Sequence, residues 1–310
     1  MEKLENFLKA KKIEFVSGRV IKPYLSIGIG GSVETIIVVH DPVDLRELLL
    51  FLDARRYPFI LIGGGSNVVF SDDHTPVPVI VNRTSQMVKL PGEGLVKVNS
   101  GAFNRDFLAW AIKNRVGGLD YLAGIPGTLG GAAAVNAGSF GLSISMALEK
   151  ADIFVPGAGE IRTVDNDYFK FEYRNSKFKY GSEVILDIYL RYIDTDSGKI
   201  REKVDEKVRY REEKHPPRGT RTAGCFFKNP IIGGQKVSAG KLIESAGFKG
   251  TRLNCLEVSA MHSNFVINNG ESTFENILSL EREIVRAVRE QKGIVLEREV
   301  IYISPEGKKY

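Results

Sequence analysis

The sequence predicts an α+β protein with more than one packed unit, and three observations carry that prediction. The chain has 310 residues, about twice an ordinary domain of 100 to 200 residues. Its apolar residues fall into short strand-like runs that interleave with stretches of helical spacing. A polar break, TDSG at Thr195–Gly198, separates a long alternating strand from a highly charged helix.

The elements follow in chain order. MEKLENFLKAKK puts Leu4, Phe7 and Leu8 on one face of a short surface helix, unlike the uninterrupted apolar core of a targeting segment. From Glu34 to Asp73 the pattern is strand (ETIIVVH), helix (VDLRELLLFLDARR), strand (PFILI), glycine turn and strand (NVVF), a small α/β unit. VPVIVN, QMVKL and LVKVN are short strands, and Asn104 to Asn114 is helical through Phe107, Leu108, Ala111 and Ile112. DIFVP, a turn at Gly157 to Gly159, EIRTV and EVILDIYLRYI close a second α+β domain near Ile193. The charged helix from about Lys199 to Lys214 aligns Ile200, Val204 and Val208 and stops at HPPRG. A third unit then holds TAGCFFKNP, a helix near Ala239 to Ala246, the strand SNFVIN and a helix after Ser272 that ends at Gly293. Ser272 and Glu275 fit its capping box. The last strand, REVIYI, needs an existing sheet and is predicted to return to an earlier domain.

Composition narrows the function. Lys and Arg number 43 against 38 Asp and Glu, a net charge of +5 without a basic arm. This suits small anionic ligands and argues against nucleic acid. Cys225 and Cys255 lie 30 residues apart with no CxxC, which points to a reducing cytosol rather than a disulfide or zinc scaffold. The histidines show no metal-ligand spacing, so no metal is expected. Tyr121 to Leu148 carries no charge, but six glycines, Pro126 and Asn136 make it a poor membrane span. It is read as buried loop and helix around a ligand. Glycines number 32 against roughly 22 expected at about 7% of a chain.

Two glycine clusters could bear on binding. Gly63, Gly64 and Gly65 follow an apolar strand and precede Ser66 and Asn67, where backbone amides can approach an anion. No Lys-Ser or Lys-Thr follows as in a P-loop, and Val68 breaks GxGxxG. Alone, the run reads equally well as a tight structural turn. In AGIPGTLGGAAAVNAGSFG, Ala123 to Gly141, Thr128 can cap a helix of tiny residues. Such a helix either lets a flat or phosphorylated ligand lie on backbone or serves close helix packing.

In order and spacing, SIGIGGSVE, LIGGGSNVVFSDD, AGIPGTLGGAAAVNAGSFG, YRNSKFK, AGCFFKNP, SAGKLIESAGFKG, MHSNFVIN and LEREV resemble the UDP-N-acetylenolpyruvoylglucosamine reductase (MurB) family. The likeness spans nearly the whole chain. The first three segments are shared with the broader vanillyl-alcohol-oxidase-like flavoproteins, and the last four separate MurB from them. The resemblance implies a cytoplasmic flavoenzyme of peptidoglycan synthesis; a monomer with no nucleic-acid or membrane partner is expected. It would use FAD and NADPH to reduce the enolpyruvyl ether of a UDP-sugar to a lactyl ether. The implied fold is a two-part, PCMH-type FAD-binding region with a third α/β substrate domain. Its parts are 1–82 with the strand 299–310 returning to it, 83–195, and 196–298.

The family pattern assigns FAD to Gly63, Gly64, Gly65, Ser66 and Asn67, and to Gly124, Ile125, Pro126, Gly127 and Gly131. Hydride addition to the enolpyruvyl group leaves charge beside its carboxylate, so the site needs cationic stabilisers and a proton donor. Arg174 in YRNSKFK would meet the carboxylate as a bidentate fork. Glu299 in LEREV would be a helper acid. Cys225 occupies the place of the family's usual serine in GSxFKNP, and its thiol, with a reference pKa of about 8.5, is a stronger acid than an alcohol. Without the motif, Cys225 reads as a small buried hydrophobe and both charged residues as solvated surface. Lys228 and Asn229 could contact the substrate diphosphate or position the nicotinamide cofactor, and Arg211 or Lys214 could meet a phosphate. His262 fits the family pattern and reads equally as a hydrogen-bonded seam residue, while Trp110, Tyr173 and Tyr210 read as packing. The rival functions are an FAD-dependent oxidase of a small alcohol or sugar and a noncatalytic nucleotide-binding module.

Overall fold

A computed structural model describes residues 1–310 as two compact units between which the chain passes repeatedly. The first comprises Met1–Gly18, Glu34–Gly64 and Val77–Tyr210, the second Arg19–Val33, Gly65–Pro76 and Arg211–Tyr310.

In the first unit, α1 (Glu2–Lys11) buries Leu4 and Leu8 and stops at Lys12 in the left-handed conformation. A four-stranded sheet orders Glu14–Ser17, Thr35–Val39, Val79–Asn82 and Ile60–Ile62, the last three parallel. Over it α2 (Pro42–Ala54) starts where Asp41 accepts the Val43 N–H at 2.7 Å and Pro42 presets φ. Leu45, Leu48, Leu49 and Leu52, at helical spacing, form its buried stripe. A five-stranded antiparallel sheet follows, ordered Glu160–Asp165, Leu148–Val155, Val184–Arg191, Leu95–Asn99 and Met87–Leu90. It packs with α3 (Asn104–Lys113) and α4 (Leu129–Ala134) around Phe107, Leu129, Ile188 and Leu190.

Asp187, 1% exposed, ties α2 to the second sheet. Its carboxylate accepts from Arg46 Nη2 and Asn99 Nδ2, both at 2.5 Å, and pairs with Lys97 Nζ at 3.0 Å. Burial pulls the Lys97 pKa down, but the hydrogen bonds with Tyr189 and Asp187 outweigh it and leave the ammonium raised.

The chain enters the second unit along α5 (Ser197–Lys214). Strands Thr222–Cys225, Phe265–Asn268, Leu256–Val258 and Arg252–Leu253 make an antiparallel sheet, packed with α6 (Ala239–Ser245) and α7 (Phe274–Lys292). Phe274, Ile277, Leu280, Ile284 and Val288 line the buried face of α7, and Gly293 at φ +68° ends it.

Two expectations are corrected. Strand Val68–Phe70 does not join the α/β sheet but pairs in parallel with Ile301–Ile303. The five-residue Gly63–Asn67 connection is far too short for the crossover that parallel neighbours need, so a distant strand supplies the partner. The α7 capping box also lies one residue later than predicted: Asn276 N–H donates to Thr273 Oγ1 at 3.2 Å, and Thr273 N–H to Asn276 Oδ1 at 3.0 Å. Glu275 instead turns to Arg282 at 2.5 Å, and Ser272 is buried. No helix is long and apolar enough to cross a membrane.

Asp187→Ala should lower unfolding free energy by about 3–5 kcal/mol, since Arg46, Lys97 and buried Asn99 would lose a shared acceptor. Urea unfolding of the two proteins measures this, and a change below about 1 kcal/mol would show that the network relaxes without it.

Candidate active site

In the first unit the two predicted glycine segments touch. A Cβ at Gly64 would fall 2.7 Å from Gly127 Cα, and one at Gly63 would overlap Thr128 Oγ1. The Gly63 carbonyl is held by Arg83 Nη1 at 2.7 Å. On the facing segment Asn104 accounts for two carbonyls, its N–H donating to Gly127 O at 3.0 Å and its Nδ2 to Ile125 O at 3.1 Å. Thr128 caps α4 by accepting the Gly131 N–H at 3.3 Å, and Gly130 lies so close to Ser100 that a Cβ would meet its side chain at 2.7 Å. Gly124, Pro126 and Gly131 remain exposed beside this contact. The uncharged stretch is thus only partly buried, with Phe140, Leu142 and Met146 exposed as well.

Arg174 stands at the other end of α4, a helix of six residues and so about 9 Å long. Glu172 and Asn175 exchange main-chain hydrogen bonds at 3.1 and 3.3 Å, making Tyr173 and Arg174 a two-residue turn with Arg174 at φ +55°. The turn docks through Ser176 Oγ to Ala134 O at 2.7 Å and Asn136 Nδ2 to Glu172 O at 2.9 Å. Half-buried Arg174 places its guanidinium 5.7 Å from the centre of the Tyr173 ring.

The second unit gathers the remaining candidates. Thr222 pairs with Ile267 and Cys225 with Phe265, so three steps on one strand match two on the other. This is a β-bulge with Gly224 at φ +81°. An unbroken ladder would put Cys225 on the face of buried Ala223; the bulge puts it with half-exposed Phe265 and Ile267. Cys225 is itself half-buried. Glu299 N–H donates to Phe226 O at 2.9 Å, and the Glu299 carbonyl accepts from Asn67 Nδ2 at 3.4 Å. Ser66, Asn67, Cys225 and Glu299 therefore lie along one hydrogen-bonded seam. The N–H groups of Gly65, Ser66 and Asn67 meet no acceptor within the protein, and Gly65 is left-handed at φ +63°. Consecutive N–H donors beside a left-handed residue are the elements of an anion-binding nest.

The outer candidates differ among themselves. Lys228 pairs with Glu297, and Asn229 Oδ1 accepts the Ala239 N–H at 2.9 Å, which fixes the start of α6. Arg211 is half-buried and Lys214 exposed in the last turn of α5. Tyr210, read as packing, is 50% exposed and stacks edge-on with Phe140 at 5.3 Å. No motif in the sequence marks Asn104. Its signal was a helix preceded by Phe103, with the residue suited to capping already inside the first turn.

His262 and His215 stack edge-on at 5.3 Å beside Phe265, the cross-strand neighbour of Cys225. Burial, then the Arg211 charge and His262, lower the His215 pKa to about 4. Burial also lowers that of His262 against an opposing main-chain hydrogen bond.

Fold and site together define a flavoprotein with a PCMH-type FAD-binding region. Residues 33–165 match the FAD binding domain model, and residues 215–303 match the UDP-N-acetylenolpyruvoylglucosamine reductase C-terminal domain. The reductase of Pelobacter propionicus is 32% identical over 283 residues, 91% of this chain and 93% of the relative. That of Aquifex aeolicus is 34% identical over 298 residues, 94% and 96% of the two chains. The crystal structure of MurB from Thermus caldophilus superposes with a TM-score of 0.75 at 29% identity, covering 94% of this chain and 98% of that one. The chain belongs to the UDP-N-acetylenolpyruvoylglucosamine reductase family and is an FAD-dependent oxidoreductase.

Stability should fall with acid through His215. The unfolded imidazole takes a proton near pH 6.5, whereas the folded one resists it to about pH 4. The contribution is therefore full above 6.5 and lost across that interval. His215→Phe should flatten urea midpoints between these pH values; an unchanged slope would assign the acid sensitivity to other groups.

Proposed function

We propose that this enzyme uses NADPH to reduce UDP-N-acetylenolpyruvoylglucosamine to UDP-N-acetylmuramate, with Cys225 as the proton donor. The observation that carries the assignment is the bulge at Gly224, which turns Cys225 away from the core on a strand that Glu299 closes. FAD, reduced by NADPH, would supply hydride to the terminal carbon of the enolpyruvyl group. Gly63 to Asn67 and the Gly124 to Gly131 segment would hold that cofactor, and the amide nest and side-chain-free glycine contact fit it. Arg174 binds the substrate carboxylate and neutralises charge as it grows on the adjacent carbon. The Cys225 Sγ–H then protonates that carbon, and Glu299 polarises the developing enolate as a helper acid. Lys228, Asn229, Arg211 and Lys214 would serve the sugar nucleotide, Asn229 through its side-chain N–H groups, since its Oδ1 already accepts the Ala239 N–H. The division into 1–82 with 299–310, 83–195 and 196–298, a monomeric state and a cytoplasmic location complete the reading.

The purified yellow protein should oxidise NADPH only when the enolpyruvyl substrate is present; rapid oxygen consumption with a sugar or small alcohol would replace this reading with an oxidase. Cys225→Ser should retain turnover. Cys225→Ala should still let NADPH bleach the flavin but slow its reoxidation by substrate about 10²–10⁴-fold, the usual loss of a general acid. Equal reoxidation by Cys225→Ala and the parent would remove the thiol from the mechanism. Gly131→Ala probes the cofactor surface, because its Cβ would meet only Thr128 Oγ1, at an ordinary 3.6 Å. It should leave thermal stability intact yet weaken FAD binding about tenfold or more, the effect of a methyl group placed against the ligand; full flavin retention would move the cofactor away from Gly131.

A further inference from the structure

Arg221 belongs to no motif that the sequence singles out. It sits half-buried just before strand Thr222–Cys225, and its carbonyl accepts the Asn268 N–H at 2.8 Å. Its guanidinium lies flat on Gly28, where a Cβ would come within 2.7 Å of Nη2 and 2.9 Å of Nε. Nη2 donates weakly to the Gly28 carbonyl at 3.4 Å. Arg221 forms no ion pair, so most of its five donors meet no protein acceptor. Its spare nitrogens are not buried, so they are open to an anionic ligand.

The Gly28 turn is also the support of the amide nest. Gly28 N–H donates to Leu25 O at 3.0 Å, closing a turn that contains Ser26. Ser26 N–H donates to Gly65 O at 2.9 Å, and its Oγ donates to Thr222 O at 2.6 Å. One turn thus carries both the uncompensated guanidinium and the connection to Gly65, Ser66 and Asn67, whose N–H groups lack acceptors. A guanidinium fork and three successive main-chain N–H groups without acceptors are complementary to phosphoryl oxygens.

We propose that Arg221 is a binding residue for the diphosphate of FAD, completing the nest from the Gly28 side. The inference rests on flavin binding and adds a cation that the glycine motifs do not supply. A UDP-sugar carries the same chemistry, but the ties through Ser26 run to the glycine turn assigned to the flavin, which favours FAD.

The test compares Arg221→Met, which keeps the stem over Gly28, and Arg221→Lys with the parent. FAD release on dilution of holoenzyme gives its Kd, and deflavinated full-length chain is titrated with riboflavin, which has no phosphate. Arg221→Met should raise the FAD Kd about 10- to 100-fold, as expected for loss of a charge-assisted contact. Arg221→Lys should recover part of that loss. Riboflavin affinity and the affinity of holoenzyme for UDP should stay within about twofold of the parent. An FAD Kd unchanged in Arg221→Met overturns the proposal, as does equal weakening of riboflavin, which marks a packing role. Loss of UDP affinity with FAD retained overturns it in favour of the sugar nucleotide. Parent protein that binds no flavin refutes the flavin reading itself, a distinct result.

Discussion

Two stretches of backbone meet with no side chain between them, and the binding surface of the first unit depends on that contact. Gly64 approaches Gly127 and Gly63 approaches Thr128 so closely that a methyl group on either glycine would force them apart. Because they meet, Thr128 is placed to cap α4, and Gly130 can settle against Ser100. Because α4 is seated there, its far end gives Ser176 and Glu172 their anchors at Ala134 and Asn136. The position of Arg174 is thus set by a packing constraint one short helix away. Arg83 and Asn104 hold the carbonyls on both sides of the contact, which keeps those acceptors away from an anionic ligand.

The second unit solves a different problem, that of setting the small Cys225 side chain on the open face of a strand whose neighbours are core. Ala223, Phe226 and Phe227 are all buried, and period-two alternation alone would place position 225 on the face of Ala223. One extra residue reverses the alternation, and glycine at 224 takes the positive φ this requires. Phe226 and Phe227 then return to the core while Cys225 does not. The same seam delivers Glu299, since its strand segment is fixed by Phe226 O on one side and Asn67 on the other.

Local physics was legible in the sequence, and pairing across long separations was not. The buried stripes of α2 and α7 repeat at helical spacing, and Asp41, Thr128 and Gly293 sit where caps belong, so these elements could be read directly. Strand Val68–Phe70 could be recognised, but its partner lies more than 230 residues away, and nothing in VVF specifies it. The α7 cap was misplaced by one residue because Ser272 and Thr273 are equivalent in type. Only tertiary burial of Ser272 chooses between them. In the site, glycines were visible because their clustering departs from composition, and Cys225 because it interrupts a motif. Arg221 and Asn104 were not, since an isolated arginine and an asparagine at a helix start are common, and their meaning lies in the carbonyls they meet.

Arg174 shows how strain can distinguish a structural residue from a functional one. The second position of its two-residue turn needs φ near +55°, a conformation that costs a residue with a Cβ about 1 kcal/mol or more. Glycine or asparagine would close the same pair of main-chain hydrogen bonds at lower cost. The turn's main-chain hydrogen bonds do not require arginine, whose half-buried guanidinium stands over the Tyr173 ring at 5.7 Å. What the position does gain is a fixed cation on a turn with little freedom, anchored to the helix that rises from the glycine contact. A carboxylate bound there would meet a fork already oriented, so less conformational entropy is lost when charge grows upon it. The strain at Arg174 thus supports its placement among the substrate-binding residues, on grounds independent of the motif in which it occurs.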